Sequence, residues 1–177
     1  SNGLTSARHD VFNKEVGQKF PETFDPTVPE NLTYSGKFGL VEEVDDMPIN
    51  MGEAVLSPTR TYAPIVAEVL KLYRNKINGM VHCSGGAQTK ILHFIDKNHV
   101  IKDNLFDTPP LFRAIQKTSD THWKEMYKVF NMGHRFEIYT DEATAKNIID
   151  ISHAFNVEAR IIGRVEPSNE KKLTIKS

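Results

Sequence analysis

The stretch "MVHCSGGAQTK", residues 80–90, decides the fold because an apolar run, a glycine pair and a helix-like run follow one another in it. We predict a short buried strand over Met80–Cys83, a turn over Ser84–Gly86 and a helix over Ala87–Ile95. A structural turn needs one glycine at most, whereas a backbone that closely approaches a ligand could use both. The pattern leaves two interpretations, a tight strand-to-helix turn or an anion site formed by free N–H groups at a helix N-terminus.

Helical and strand-like segments alternate on either side of this stretch. Periodicity and capping signals predict helices over Leu4–Phe12, Pro58–Ile77, Pro110–Lys117, Thr121–Phe130 and Asp141–Phe155. Prolines and acidic residues predict a loop over Phe20–Gly36. Shorter apolar runs predict strands over Phe38–Val44, His99–Ile101, Phe136–Tyr139, Glu158–Val165 and Lys171–Ile175, the last two joined by a turn at Pro167-Ser168-Asn169. This order predicts an α+β fold with a mixed β-sheet and packed helices.

Composition limits the function classes. The chain has 177 residues, 39% of them hydrophobic and 25% charged, which suits one globular domain. A net charge of −1 gives no strong field for nucleic acid or anionic lipid. The single cysteine excludes an internal disulfide framework and fits a reducing cytoplasm. No apolar run reaches the roughly 20 residues that cross a bilayer, so we expect a cytoplasmic protein with neither a nucleic-acid nor a membrane partner.

His82 is the candidate catalytic residue of the opening stretch. A histidine at a strand end is often a hydrogen-bonded structural residue, but beside a phosphate cradle it could stabilise an oxyanion or move a proton. Cys83 fits a small buried hydrophobe better than a nucleophile. The spacing of His82, Cys83, His93 and His99 matches no closed zinc pattern, so we expect no metal site.

Two further stretches offer polar groups to a ligand. In "FNMGHRF", residues 130–136, Asn131 and Gly133 lie between a predicted helix and a predicted strand. They either stop the helix or form a loop facing the same cleft, with the Asn131 amide available. In "SPTR", residues 57–60, Arg60 falls in the first turn of a predicted helix, where it opposes the helix dipole. It is either solvated or paired with an external anion.

Five stretches occur together in an order that is specific to one family. They are "SNGLTSARHD" (1–10), "LSPTRTYAPI" (56–65), "VHCSGGAQTKIL" (81–92), "MYKVFNMGHRFEIYT" (126–140) and "ARIIGRVE" (159–166). Together they resemble the C-terminal half of the phosphoribosylformylglycinamidine cyclo-ligase family, also called aminoimidazole ribonucleotide synthetase. The resemblance covers Ser1–Val11 and Val55–Val165.

The resemblance implies a ferredoxin-like strand pattern and an ATP-dependent ring closure in purine biosynthesis. ATP would phosphorylate the amide oxygen of formylglycinamidine ribonucleotide, and a nitrogen of the same substrate would close the imidazole ring. It further implies that ATP and magnesium are bound mainly by an N-terminal half of the same enzyme, which at full length is a homodimer. Because the chain begins at a helix cap, we expect residues 1–177 to be a single C-terminal domain of that longer enzyme. We expect this domain to be inactive alone because it lacks the nucleotide-binding half.

The resemblance also assigns roles to individual residues. His82 would be catalytic, and no residue would bind a metal. The residues that would bind substrate or phosphate are Asn2, Gly3, Thr59, Arg60, Ser84, Gly85, Gly86, Asn131 and Gly133. The family's pattern has smaller or apolar residues at the positions of His134 and Arg135, and residues 13–54 look like an insertion or surface flap.

Two other functions stay open at this point. One is another ATP-dependent enzyme of the same two-half build, of the formylglycinamide ribonucleotide amidotransferase or selenophosphate synthetase type. The other is a non-catalytic module that binds phosphate or a partner protein. A Gly- and Asp-rich nucleotide-binding region upstream of Ser1 would favour an enzyme over the module.

Overall fold

The computed structural model describes residues 4–44, 47–57 and 60–176. Its α-helices are α1 (Leu4–Val11), α2 (Lys14–Lys19), α3 (Met51–Leu56), α4 (Ala63–Tyr73), α5 (Pro110–Ser119), α6 (Trp123–Val129) and α7 (Glu142–Ala154). Its strands are β1 (Ile77–His82), β2 (Asn98–Lys102), β3 (Phe136–Thr140), β4 (Gly163–Pro167) and β5 (Lys172–Ile175). Short 3-10 helices occupy Pro21–Thr23, Glu30–Leu32, Arg74–Lys76 and Ala87–His93. No helix in these ranges has both the length and the apolarity needed to cross a membrane.

The chain divides into two compact units, which are described separately. Unit 1 comprises Ser1–Pro58, Ser84–Gln88 and Asp107–Gly133. Unit 2 comprises Thr59–Cys83, Thr89–Phe106 and His134–Ser177. The opening stretch of the sequence is therefore shared, because the chain passes from unit 2 into unit 1 between Cys83 and Ser84.

Unit 1 is helical and packs around α1. Helices α3 and α5 contact α1 and each other, and apolar side chains from all parts of the unit are buried. The core residues with almost no exposure are Val11, Tyr34, Met51, Ile115 and Met126. Segment 35–38 runs along the end of α1, where Gly36 donates its N–H to the Phe12 carbonyl. A Cβ on Gly36 would lie 2.1 Å from the Val11 carbonyl oxygen, so only glycine permits this close approach.

Unit 2 contains two small sheets. β1 pairs antiparallel with β3, with His82 opposite Phe136 and Val81 opposite Glu137. β2 lies in the middle of the second sheet, antiparallel to β4 and parallel to β5. One apolar cluster joins α4 and α7 to one face of β1–β3 through Val69, Ile148 and their neighbours. A second cluster, built on Val81, Ile91 and Val100, lies between the sheets. The mixed helix and strand content agrees with the predicted α+β class.

Most predicted elements are present, but several boundaries differ. α4 begins at Ala63 rather than Pro58, so Pro64 is the proline in its first turn. Residues 87–93 form a 3-10 helix and not the predicted α-helix. β1 begins at Ile77 because it pairs with β3 across the predicted helix stop at Asn78-Gly79.

The remaining differences concern strands. The predicted strand over Phe38–Val44 is absent from the described residues; only isolated bridges from Phe38 to Phe12 and from Glu43 to Asn50 occur there. β4 begins at Gly163 rather than Glu158, and β4 and β5 flank β2 instead of pairing with each other. The helical spacing of Trp123, Met126 and Tyr127 in the sequence predicts one apolar face of α6, but Trp123 is 41% exposed.

Candidate functional site

The glycine turn has an unusual backbone. Gly85, Gly86 and Ala87 follow one another with φ angles of 47°, 101° and 44°, all in the left-handed region. Glycine adopts this region freely, whereas alanine there costs about 1–2 kcal/mol. A Cβ on Gly85 would meet no atom within 4 Å, so the space beside it is open. Strain held at Ala87 next to open space is typical of a ligand-binding turn, and successive N–H groups in such a turn can line an anion site.

A buried amide connects this turn to the second predicted loop within unit 1. Gln88 has no exposed surface, and its Nε2 donates to the Asn131 carbonyl at 2.7 Å. The Oδ1 of Asn131 accepts from the Gly133 N–H at 2.9 Å, which closes the loop on itself. The Asn131 oxygen is therefore engaged within the loop, and a ligand-binding role for this side chain would have to use its Nδ2 group. The sequence offered no signal for Gln88, since a glutamine after a turn is ordinarily exposed.

Gly133 is required by the local backbone. Its φ is 104°, and a Cβ there would lie 3.0 Å from the ring of Pro109. Met132 before it is also left-handed, with a φ of 54°. The 131–133 segment thus resembles the glycine turn in conformation, and the two segments are joined by the Gln88 hydrogen bond.

In unit 2, His82 ends β1 on its exposed side. The His82 ring lies 6.4 Å from the Phe136 ring, centroid to centroid, across the β1–β3 pair. Arg60 is also exposed, and its Nη1 donates to the Asn156 carbonyl at 3.3 Å. Because α4 begins at Ala63, Arg60 precedes the helix, and the argument from an opposing helix dipole at this residue was wrong.

The predicted site residues fall into three groups. Ser84, Gly85, Gly86, Asn131 and Gly133 lie together in the loops of unit 1. Arg60 and His82 lie in unit 2, and Asn2, Gly3 and Thr59 lie outside the described residues. The chemical roles of all these residues stay predictions.

A buried charged cluster in unit 2 was not predicted from the sequence. Lys102 is 1% exposed, and its Nζ lies 2.5 Å from Oε1 of Glu137, which is also buried. His134 Nε2 lies 2.8 Å from the same oxygen, and the Tyr139 hydroxyl donates to Oε2 at 2.6 Å. We call Lys102, Glu137, His134 and Tyr139 the Glu137 cluster. A buried carboxylate with this many donors is fully hydrogen-bonded.

The surroundings of Glu137 keep its carboxylate ionised and keep the Tyr139 hydroxyl and the Cys83 thiol protonated. Burial alone would raise the pKa of Glu137, but the hydrogen bonds from His134 and Lys102 and the Lys102 charge lower that pKa to about 2. Burial and the Glu137 charge raise the pKa of the Tyr139 hydroxyl and of the Cys83 thiol well above their usual values. At neutral pH the Glu137 carboxylate therefore faces a protonated phenol within the cluster and a protonated thiol at Cys83 beside it.

Cys83, together with His134 and Glu137 of the cluster, resembles a metal site in composition. Donor atoms of Cys83, His134 and Glu137 lie within 4.8 Å of one another. However, the Lys102 ammonium group occupies the Glu137 oxygen that His134 also contacts. A divalent cation would have to displace that positive charge and deprotonate a thiol whose pKa is raised. The arrangement suits a closed hydrogen-bond network better than a cation.

Comparison with known protein families identifies the family of this chain. The profile of the family described as "AIR synthase related protein, C-terminal domain" matches residues 32–176. The chain belongs to this family. Its match begins at residue 32, so the second half of the 13–54 segment lies inside it.

Three curated relatives from methanogens share one name. The phosphoribosylformylglycinamidine cyclo-ligase of Methanocaldococcus jannaschii is 35% identical over 120 residues, which are 68% of this chain and 34% of that protein. The enzymes of the same name from Methanococcus vannielii and Methanococcus maripaludis are 33% and 35% identical, each over 96% of this chain and 42% of their own length. The chain thus spans about two-fifths of the length of the relatives that it matches throughout.

Proposed function

We propose that this chain is the C-terminal part of an ATP-dependent cyclo-ligase that converts formylglycinamidine ribonucleotide to aminoimidazole ribonucleotide. The observation that carries the proposal is the similarity over 96% of the chain to relatives named for that activity. The left-handed turn at Gly85–Ala87 supports it, because the substrate carries a phosphate and the reaction passes a phosphoryl group.

In this proposal the chain binds and positions the substrate, and it does not supply the nucleotide site. Bound ATP would supply the phosphoryl group that activates the amide oxygen of the substrate. The N–H groups of Ser84–Gly86 would hold phosphate oxygens, and Nδ2 of Asn131 and the Arg60 guanidinium group would each donate to the substrate. An imidazole nitrogen of His82 would donate to the oxygen on which negative charge develops, or carry the proton released in ring closure.

Magnesium and most of the nucleotide contacts belong, in this proposal, to an N-terminal region of the same enzyme. Mg²⁺ prefers oxygen ligands, whereas the close group of possible ligands in the described ranges includes a thiol and an imidazole. The relatives' greater length supports an N-terminal region as the partner of this chain. A homodimer at full length, a ferredoxin-like strand pattern, a cytoplasmic location and a surface flap over residues 13–54 complete the proposal.

The test is a product assay on the full-length protein. Incubation with ATP, magnesium and formylglycinamidine ribonucleotide should give aminoimidazole ribonucleotide and ADP in equal amounts. ATP consumption that depends on glutamine or selenide instead would support a related enzyme of the same build. Phosphate binding without any turnover would support a binding module. The 177-residue chain alone should release no ADP. Steady substrate-dependent ADP release from it would contradict the assignment of the nucleotide site to an N-terminal region.

A further inference from the structure

The Glu137 cluster has no part in the chemistry proposed above, yet it lies directly behind the candidate catalytic histidine. Glu137 is opposite Val81 in the β1–β3 pair, one position from His82 and Phe136. Side chains alternate between the faces of a strand. Val81, Cys83 and Glu137 are buried on one face, and His82 is exposed on the other.

A two-stranded pair such as β1–β3 needs something to fix its register. A slip of β1 by one residue against β3 would move each β1 side chain to the opposite face, and His82 would then point to the side that Cys83 occupies. Apolar contacts alone define the register weakly, because Gly79 in β1 has no side chain and the pairing is already irregular between Ile77 and Gly79. A buried charge, by contrast, is stable only in the register that keeps it in contact with its hydrogen-bonding partners.

Glu137 is held from three directions. Lys102 reaches it from β2 of the other sheet, His134 from the segment that enters β3, and Tyr139 from the same strand two residues on. Burying an ion pair gives little net stability compared with apolar residues of the same volume. The cluster therefore calls for a role other than stability.

We propose that the Glu137 cluster is a positioning device that fixes the register of β3 against β1 and so sets the direction of His82. His134 is its most specific member, because it connects Glu137 to the point where the chain enters β3. The Cys83 N–H donates to the Arg135 carbonyl at 2.8 Å just beyond β1, and this hydrogen bond reports the register next to His82. The inference rests on the proposed function for its kinetic part only.

The experiment compares two replacements of His134 in the full-length protein. His134→Leu keeps the volume and removes the donor to Glu137, whereas His134→Gln keeps a nitrogen donor at a similar reach. His134→Leu should lower kcat by about tenfold to a hundredfold, because misplacing a reacting group by about 1 Å costs that much. KM should change little, since His82 would act in the reaction rather than in substrate binding. His134→Gln should restore most of kcat.

A second readout does not depend on activity. Hydrogen exchange at the Cys83 amide should accelerate by about tenfold or more in His134→Leu, with amides of α7 unchanged, and should return to the wild-type rate in His134→Gln. If the wild-type protein does not make aminoimidazole ribonucleotide, the proposed function fails while this arm still tests the cluster. Wild-type kcat together with wild-type exchange at Cys83 in His134→Leu would overturn the inference.

Two controls separate positioning from stability. The exposed pair Glu68–Lys71 in α4 offers a matched variant, Glu68→Gln/Lys71→Gln, which should leave kcat and the Cys83 amide unchanged. If His134→Leu fails to unfold cooperatively, Lys102→Met/Glu137→Leu takes its place with the same expectations, since removing both charges leaves none unpaired. Uniformly faster exchange throughout unit 2 would indicate a purely structural role and would also overturn the inference.

Discussion

The glycine turn at Gly85–Ala87 and the Glu137 cluster are built on opposite principles. The turn is made of backbone, lies beside open space and holds its strain in left-handed residues. The cluster is made of side chains, is buried and has its charges matched by donors. The difference teaches that backbone strain can be held beside open space, whereas charges in the interior must each be met by a partner.

The largest expected loss of stability comes from leaving one buried charge of the Glu137 cluster without its partner. Lys102→Met removes the ammonium group and leaves Glu137 ionised and buried, which should cost about 3–5 kcal/mol of unfolding free energy. Lys102→Met/Glu137→Leu should recover most of that loss because it removes both charges. Urea unfolding of the wild type and both variants measures the three free energies. A single variant as stable as the wild type would show that Glu137 does not depend on Lys102.

Gly163 and Gly85 show how the space around a glycine determines the stability cost of adding a methyl group. A Cβ on Gly163 would lie 1.8 Å from the Ile101 carbonyl oxygen, so Gly163→Ala should cost about 3 kcal/mol by forcing β2 and β4 apart. Gly85→Ala meets no atom, and the left-handed φ alone should cost about 1 kcal/mol. Thermal unfolding should rank the variants in that order.

The order of Gly163→Ala and Gly85→Ala should reverse when kcat/KM is measured, if the turn at Gly85–Ala87 holds phosphate. Gly85→Ala places a methyl group where the backbone approaches the ligand and should lower kcat/KM by about tenfold or more. Gly163→Ala, assayed at a temperature where it is folded, should keep near-normal kcat/KM. Unchanged kcat/KM in Gly85→Ala would remove the turn from the proposed site.

The most gradual expected effect is the acid response of the cluster. The pKa of Glu137 is about 2 in the folded protein and 4.5 is the ordinary value. A depressed folded-state pKa gives stability that is complete above about pH 4.5 and is lost as the pH falls towards 2. The wild type should therefore lose its unfolding free energy more steeply than Lys102→Met/Glu137→Leu below pH 4.5, by at most about 1.4 kcal/mol per pH unit. Parallel curves would mean that Glu137 is not held ionised.

Local signals made much of the fold predictable. Pro110 at the start of α5, the Asp141 side chain that accepts from the Thr144 N–H at α7, and the apolar run of β3 each act within a few residues. Non-local pairing overrode local signals elsewhere. Asn78-Gly79 is typical of a helix stop, but β1 runs through both residues and Gly79 pairs with β3. Two strands of the closing segment join β2 instead of each other.

The candidate site divides in the same way. The paired glycines predict a turn from the sequence itself, and the structure has a turn there with left-handed residues. The Glu137 cluster could not be read from the sequence, because Lys102 and Glu137 are 35 residues apart and belong to different sheets. A lysine closing the apolar run "HVIK", and a histidine and a glutamate three residues apart around a predicted strand, were the available signals.

The most direct test of the account is His82→Ala in the full-length protein, with melting temperature and turnover measured on one preparation. His82 is exposed at a strand end, so truncation should change the melting temperature by no more than about 2 °C. Turnover of formylglycinamidine ribonucleotide should fall by about a hundredfold or more if an imidazole nitrogen handles the proton or the developing charge. A melting temperature lowered by several degrees, with near-normal turnover in the folded fraction, would contradict the account and leave His82 a structural residue.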